Sequence, residues 1–527
     1  MIQFWKILLI LFPFIAVIAF YIYTKLVTFQ YWTRRNVKQL NPVFPLGDLY
    51  AFIKQGVGLG TFYDNLYQNT KKSRFIGFYN LTKPTLIVND VEMVKNILVR
   101  DSSYFVDRGT YSDEKRDPLS GGLFSLSGDR WRHMRMKLTP TFTSGKIKGM
   151  FGTMMDCGLR LKKYVLECVE KGEEIEIKDL MARYTTDIVA SVAFGNEIDS
   201  INKPDEIFRE MGRKIAGLSF KNAFRLGATL LAPNLLKHSR MKAVDDDVEE
   251  FFIQLVKKNL DYRESNNVSR RDFLQLMIQL RNTGSIKLTD DWDTKISKVK
   301  TMTLHEMAAQ AFTFYFAGFE TSSTTISFCL YELAKNPVIL EKVQKEIDQI
   351  LNRYDSEWSY ESLQEMTYLE NCIDETLRKY PPLPILQRVC ESNYRNPETG
   401  MSIEPQTMVF LPIIGIHRDP QLFADPMKFK PERFTDLKYA ETLKKAYFPF
   451  GDGPRVCIGT RMGKLMTKIG LAIILAKFHI ELGKSHNPKN ELEIDKNSIL
   501  LAAKGGIFLK VTVRDTKYFA RRESKAI

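Results

Sequence analysis

Apolar positions recur at helical spacing along most of the chain. Residues 91–99, 131–138, 154–170, 245–260, 340–351 and 369–379 each place apolar side chains three and four apart, which predicts amphipathic helices. Leu304–Lys335 is different, because its apolar positions run all round the helix and Gly318 sits in mid-run. A helix of that kind must pass buried through the centre of the protein. Short β-prone runs at 75–78, 85–88, 407–411 and 507–513 predict few strands. The expected fold class is therefore mainly α with a small β region, without internal repeats. Residues 218–236 are also apolar, but Gly227 and Pro233 interrupt them. That pattern predicts a loop between helices, serving either core packing or a second membrane contact.

The first forty residues stand apart. Residues 7–23 form an apolar run broken only by Pro13, and no Asp or Glu precedes Asp48. As a helix the run reaches roughly 26 Å, and Phe4 and Trp5 extend it, so it can span a bilayer. Lys6 followed by an apolar stretch also imitates a signal peptide, but Phe20, Tyr21, Ile22 and Tyr23 close the run where small residues would mark a cleavage site. A retained anchor is expected. Lys25, Arg34, Arg35 and Lys38 follow the span against Lys6 before it, which puts the body in the cytosol and the N-terminus in the lumen. The expected division is an anchor at 1–25, a basic and proline-rich linker at 26–47, stiffened by Pro42 and Pro45, and one body at 48–527.

Composition narrows the class. With 44% hydrophobic and 26% charged residues the chain is neither disordered nor fibrous. Six scattered cysteines without a CxxC pair fit neither a disulfide framework nor a zinc site. The net charge of +14 comes without a basic tract or a nucleic-acid-binding motif, so nucleic acid is not expected as a partner. A membrane surface or an acidic protein accounts for it better.

The chemistry concentrates in Phe448-Pro449-Phe450-Gly451-Asp452-Gly453-Pro454-Arg455-Val456-Cys457-Ile458-Gly459, followed by a helix-compatible run from Thr460. Backbone N–H groups and the helix dipole favour thiolate at a cysteine in such a turn. Glycines let the backbone approach a flat ligand, Arg455 can reach an anionic group beside it, and Phe450 can shield the sulfur from water. The Phe-x-x-Gly-x-Arg-x-Cys-x-Gly spacing should arise by chance in on the order of one in ten thousand chains of this length. The segment resembles the haem-binding loop of the cytochrome P450 superfamily, with Cys457 as the metal ligand.

That resemblance gives meaning to weaker signals. Ala317-Gly318-Phe319-Glu320-Thr321-Ser322 looks like the family's oxygen-activation segment. It implies that Ala317 borders the haem, that the glycine opens a pocket for O2, and that Glu320 and Thr321 relay protons; alone, the same residues would read as a kink with a back-bonded threonine. Glu375 and Arg378, three apart on one helix, together with Arg433 of Pro431-Glu432-Arg433-Phe434, resemble the family's structural cluster. Trp131 and Arg135 resemble its propionate-binding helix, and Arg388 sits where many relatives place another propionate ligand. The same resemblance suggests Phe124, Phe316, Leu383 and Ile385 as the lining of a substrate pocket. Met462 and Gly463 stand where many relatives have Phe-Ala. Tyr31-Trp32-Thr33-Arg34-Arg35, Ala308-Ala309-Gln310-Ala311-Phe312 and Leu377-Arg378-Lys379-Tyr380-Pro381-Pro382 look most like insect microsomal detoxification members.

The implied fold is the cytochrome P450 fold behind a transmembrane anchor in the endoplasmic reticulum. The implied activity is a monooxygenase of the unspecific type, inserting one atom of O2 into an apolar xenobiotic or lipid-like compound. The implied cofactor is haem b, with NADPH electrons delivered by a flavoprotein reductase and cytochrome b5 as a further donor. A docking face for that acidic reductase is expected from Arg132, Lys137, Lys146 and Lys148 together with Arg461, Lys464 and Lys468, since no acid occurs within 130–153 or 453–477. A haem-thiolate isomerase or dehydratase is an alternative against which intact Gly318, Glu320 and Thr321 argue. A haem-based ligand-binding protein is another, for which an output domain would be expected. Asn80-Leu81-Thr82 and Asn267-Val268-Ser269 match the N-glycosylation pattern, and the expected topology leaves both unmodified.

Overall fold

The computed structural model describes residues 2–217, 219–239, 241–287, 289, 292, 301–484, 492–497 and 500–514, with side chains from Leu11 onward. Leu218, the side chains of residues 2–10 in the expected anchor, and residues 515–527 of the expected body lie outside the described residues.

The long central run is a helix over its whole expected length. The elements that carry the argument are α1 (Ile2–Leu26), α2 (Gly128–Leu138), α3 (Phe151–Lys171), α4 (Ile177–Val189), α5 (Phe220–Leu231), α6 (Asp246–Asn266), α7 (Leu304–Lys335), α8 (Pro337–Arg353), α9 (Thr367–Lys379) and α10 (Thr460–Lys477). Helix α7 starts at Thr303 because a capping box satisfies its first donors. Glu306 N–H donates to the Thr303 hydroxyl at 3.1 Å, and Thr303 N–H donates to the Glu306 carboxylate at 2.8 Å. Helices α4, α6, α9 and α10 pack around α7, which explains why its apolar positions are not confined to one stripe. Residues 91–100 are one helical stretch whose second half is a π-turn.

The β region is small, as expected. Strands β1 (Phe75–Asn80), β2 (Lys83–Val88), β3 (Leu386–Val389) and β4 (Met408–Leu411) form a sheet in the order β1-β2-β4-β3, with only the β2–β4 pair parallel. Strands β5 (Phe478–Leu482) and β6 (Phe508–Val513) pair antiparallel, and Ile175–Glu176 adds a short third strand. Strands β3 and β5 carry no sequence signal of their own, being four and five residues long.

One expectation is corrected. Residues 220–238 are α5 and a second short helix, Pro233–His238, rather than a loop. Ser219 caps α5 by accepting from Asn222 N–H at 3.2 Å, and Pro233 occupies the first turn, where its missing N–H costs nothing. Gly227 is carried inside α5 at a modest cost. The segment after the anchor packs against the body. Trp32 is 1% exposed, and its indole lies where a Cβ on Gly77 would come within 2.3 Å of it. Trp32 Nε1 donates to the Phe78 carbonyl at 3.3 Å, and Gln39 bridges Gly77, so residues 29–39 are seated on the first sheet.

The span Leu11–Arg35, which begins inside α1, has a mean hydropathy of 1.8, and the described side chains of α1 up to Tyr23 are exposed. It is a candidate membrane anchor.

Candidate functional site

The cysteine loop is built by glycines that no other residue could replace. Gly451 and Gly453 both have positive φ, at 74° and 67°, and a Cβ on Gly453 would lie 1.8 Å from the Leu98 carbonyl oxygen. The turn is closed by Cys457 N–H donating to the Phe450 carbonyl at 2.9 Å. The Thr460 hydroxyl donates to the Cys457 carbonyl at 2.9 Å as α10 begins. The Cys457 side chain is the exposed one among the six cysteines, but its access is to an interior cavity of about 440 Å³ rather than to the outer surface. Burial pushes its thiol up, against the Gly459 amide, the Thr460 hydroxyl and the charges of Arg108 and Arg135. The other five cysteines are buried and do not line the cavity.

Five arginines line the same cavity: Arg225, which pairs with Asp245 at 2.6 Å, and Arg108, Arg135, Arg388 and Arg455. Arg455 stacks on Trp131, with Cζ 3.9 Å from the ring centroid. Its Nη2 pairs with Asp107 at 2.9 Å, and its buried Nη1 has no partner. Arg388 Nη1 reaches only the carbonyl of Gln387, at 2.8 Å. Arg108 donates to the Phe124 carbonyl at 2.9 Å and the Arg455 carbonyl at 3.2 Å. Among the described residues, no carboxylate pairs with Arg108, Arg135 or Arg388. Burial and mutual repulsion depress these cations: Arg455 to about 9, Arg108 to about 10, chiefly by burial, and Arg388 well below its ordinary value. Buried cations left unpaired cost several kcal/mol, so the cavity is built to receive an anionic group. A dianionic, flat, iron-bearing porphyrin with a sulfur donor below it fits this set of residues.

Arg108 is a functional candidate the sequence did not announce. Its neighbours Val106, Asp107 and Gly109 form no motif, and a lone arginine beside an aspartate reads as a solvated pair.

Helix α7 supplies Ala317, Gly318 and Thr321 to the cavity wall, and Phe124, Phe316, Leu383, Ile385 and Phe450 line it too. The Thr321 hydroxyl donates to the Ala317 carbonyl at 2.6 Å, which leaves its oxygen free to accept. A Cβ on Gly318 would meet Val189 Cγ2 at 2.9 Å, so this glycine also lets α4 approach α7 where both border the cavity. Glu320 does not line this cavity; it faces a small neighbouring pocket and pairs with Lys178 at 2.8 Å, which also donates to Ser323 at 2.7 Å. Successive residues are about 100° apart round a helix, which points Glu320 away from Thr321 and toward Lys178 of α4.

The structural cluster is assembled as expected. Arg378 grips Glu375 through Nε and Nη2 at 2.8 and 2.9 Å, Arg433 Nε adds a bond at 3.2 Å, and all three side chains are buried.

The expected basic docking face is largely neutralised. Lys464 pairs with Asp374 at 2.7 Å and with Glu370, while Lys468 is buried against Glu370. Lys146 is buried over Trp292 and donates to the Thr289 carbonyl at 2.8 Å. Lys148 pairs with Glu361, and Arg132 with Asp129 at 3.0 Å. Apart from Asp129 in the first turn of α2, the acids come from α9 and the short Tyr360–Glu365 helix, outside the two stretches without acids. Lys137, half-buried and donating to the Thr301 carbonyl at 3.3 Å, and exposed Arg461 are left without an ion-pair partner among the described residues.

The family model described as Cytochrome P450 matches residues 46–510. The chain is 38% identical over 504 residues to "Probable cytochrome P450 6d5" of Drosophila melanogaster, covering 95% of this chain and 98% of that protein. It is 40% identical over 489 residues to "Cytochrome P450 6a2" of the same fly, covering 92% of this chain and 95% of that one. "Cytochrome P450 6d1" of Musca domestica is 38% identical over 496 residues, covering 92% and 95%. On the match of family and fold, the chain belongs to the cytochrome P450 family and is a haem-thiolate monooxygenase.

Proposed function

We propose that Cys457 is the axial thiolate of the haem, that Trp131, Arg135, Arg388 and Arg455 hold its propionates with Arg108 beside them, and that Phe450 screens the sulfur. The single observation that carries this reading is the meeting of the Cys457 sulfur, the unpaired guanidinium groups and Thr321 in one cavity. Haem, when bound there, supplies the oxygen chemistry, in which one atom of O2 enters the substrate and the other leaves as water.

The chain's own residues do the rest. Gly451 and Gly459, which border the cavity, let the loop lie close to a flat group, and Ala317 gives it a small residue on the wall formed by α7. Thr321 Oγ accepts and passes protons at the cavity face of α7. Glu320, one residue away, is the second member of the relay and pairs with Lys178 at 2.8 Å. Phe124, Phe316, Leu383 and Ile385 exclude water and pack an apolar substrate, either a xenobiotic or an endogenous lipid-like compound. Electrons come from NADPH through a flavoprotein reductase, with cytochrome b5 as a further donor. Helix α1 anchors the enzyme in the endoplasmic reticulum membrane with its N-terminus luminal and residues 48–527 cytosolic.

The test is a difference spectrum of the reduced, CO-bound protein, with NADPH-dependent turnover in the presence of a reductase. The wild type should give the thiolate-type spectrum, and Cys457→Ala should lose it while keeping its far-UV helix signal. A Cys457→Ala variant that kept the spectrum would overturn the assignment.

A further inference from the structure

Away from Cys457, the cavity is closed by the 111–120 segment, α5 and the residues leading into α6. Most of that wall is apolar, with Leu119, Leu226, Val244 and Val248 in it, but Asp117 is there too. Its side chain is 0% exposed. Oδ2 accepts from Ala243 N–H at 2.7 Å, and Oδ1 has no hydrogen-bond partner.

The cations nearby are committed elsewhere. Arg116 donates to the Tyr111 hydroxyl and to the Leu236 and Ser239 carbonyls. Lys242 pairs with Asp246 and Glu249, while Lys221 and Arg225 pair with Asp245. Among the described residues, no cation forms an ion pair with Asp117. Burial therefore pushes its carboxyl up to about 6, with Glu249 adding to the effect and the Ala243 amide, Lys242 and the Ser120 amide opposing it. Glu375, Asp272 and Glu332 are met by cations, respectively two arginines, Arg263 and Lys379, whereas buried Asp48, like Asp117, has a backbone amide and no ion pair among the described residues but lies outside the cavity wall.

A carboxylate withdrawn from water with one amide donor costs several kcal/mol. Local structure does not require that cost. The turn is already closed by Asp117 N–H to the Asp113 carbonyl at 2.8 Å and Ser120 N–H to the Asp117 carbonyl at 3.0 Å. An asparagine would keep the Ala243 bond.

We propose that Asp117 is a specificity-determining residue, the counter-ion for a basic nitrogen at one end of an otherwise apolar substrate, so that the cavity selects amphiphilic amines. This rests on reading the cavity as the substrate chamber. Pairing at Asp117 holds the amine head at the end remote from Cys457 and limits which carbons of the apolar body reach the haem side.

The experiment is calorimetric titration of the full-length, haem-loaded protein with 4-phenylbutyltrimethylammonium and with its neutral isostere, in which carbon replaces the charged nitrogen. The quaternary nitrogen has no lone pair and cannot ligate iron. Asp117→Asn should weaken the ammonium probe by roughly tenfold and leave the neutral probe unchanged, while Asp117→Glu should restore binding. Equal loss of both probes, or loss of neither, would overturn the proposal. In the wild type, ammonium affinity should also fall between pH 7 and pH 5 as Asp117 takes up a proton, and the neutral probe should not respond. A flat ammonium profile counts against the proposal even if the asparagine variant fails to fold. Calorimetry reads this pairing whether or not the thiolate spectrum appears, so the two readings fail separately.

Discussion

Glu375 accepts a 3.2 Å hydrogen bond from Nε of Arg433, a residue 58 positions further along the chain. Because Arg378 already occupies both carboxylate oxygens, one acid neutralises two buried guanidinium groups. Those arginines in turn hold the carbonyls of His417, Pro426 and Asp425, so the pair fastens α9 to the segment approaching the cysteine loop. Glu375→Ala should strand two buried cations and cost about 3–5 kcal/mol. The measurement is the yield of haem-loaded protein and its thermal midpoint, with Glu375→Gln milder because it keeps one acceptor. Wild-type stability in Glu375→Ala would show that the cluster is dispensable.

Thr321→Ala removes the one hydroxyl of the 317–321 turn that faces the cavity. Haem loading should be unchanged, and the ratio of product formed to NADPH consumed should fall by roughly tenfold or more as reduced oxygen is lost to peroxide. If the ratio holds, Thr321 is only a back-bonded helix residue. Glu320→Gln provides the contrast: with its carboxylate on Lys178 outside the cavity, it should change the pH profile of turnover more than substrate affinity.

Electron delivery now separates two neighbouring cations on α10. Arg461 is exposed and without an ion-pair partner among the described residues, so Arg461→Glu should slow reductase-supported turnover and spare peroxide-driven turnover. Lys464→Glu would set a third acid beside Glu370 and Asp374, and should damage both assays together with stability. The same loss in both assays for Arg461→Glu would remove it from the docking face.

Membrane topology can be read at one of the two glycosylation patterns. Asn80 is buried and its Nδ2 donates to the Leu231 carbonyl, so it stays unmodified in either orientation. Asn267 is exposed in a left-handed turn at the end of α6, open to modification if it faces the lumen. Protein made in eukaryotic membranes should show no endoglycosidase-sensitive mass shift, and a shift abolished by Asn267→Gln would reverse the proposed orientation.

The sequence by itself determined what local repetition encodes. The long apolar run from Leu304 to Lys335 defined α7, because a helix that is apolar all round has to be buried in the body. The glycine, arginine and cysteine spacing marked the loop at Cys457, since each of those residues answers a local backbone need. Residues 220–238 were misread because a proline and a glycine were weighed as breakers, although one begins a helix and the other is absorbed by packing.

Only the tertiary structure decided which charges are met. Arg108 enters the cavity with no motif around it, Asp117 is left without a cation, and Glu320 turns to Lys178 rather than inward. Lys464 and Lys468 lose their apparent freedom to Glu370 and Asp374, about 90 residues upstream. Charge has no period along a chain, and whether a side chain is desolvated, paired or exposed depends on which distant elements pack beside it.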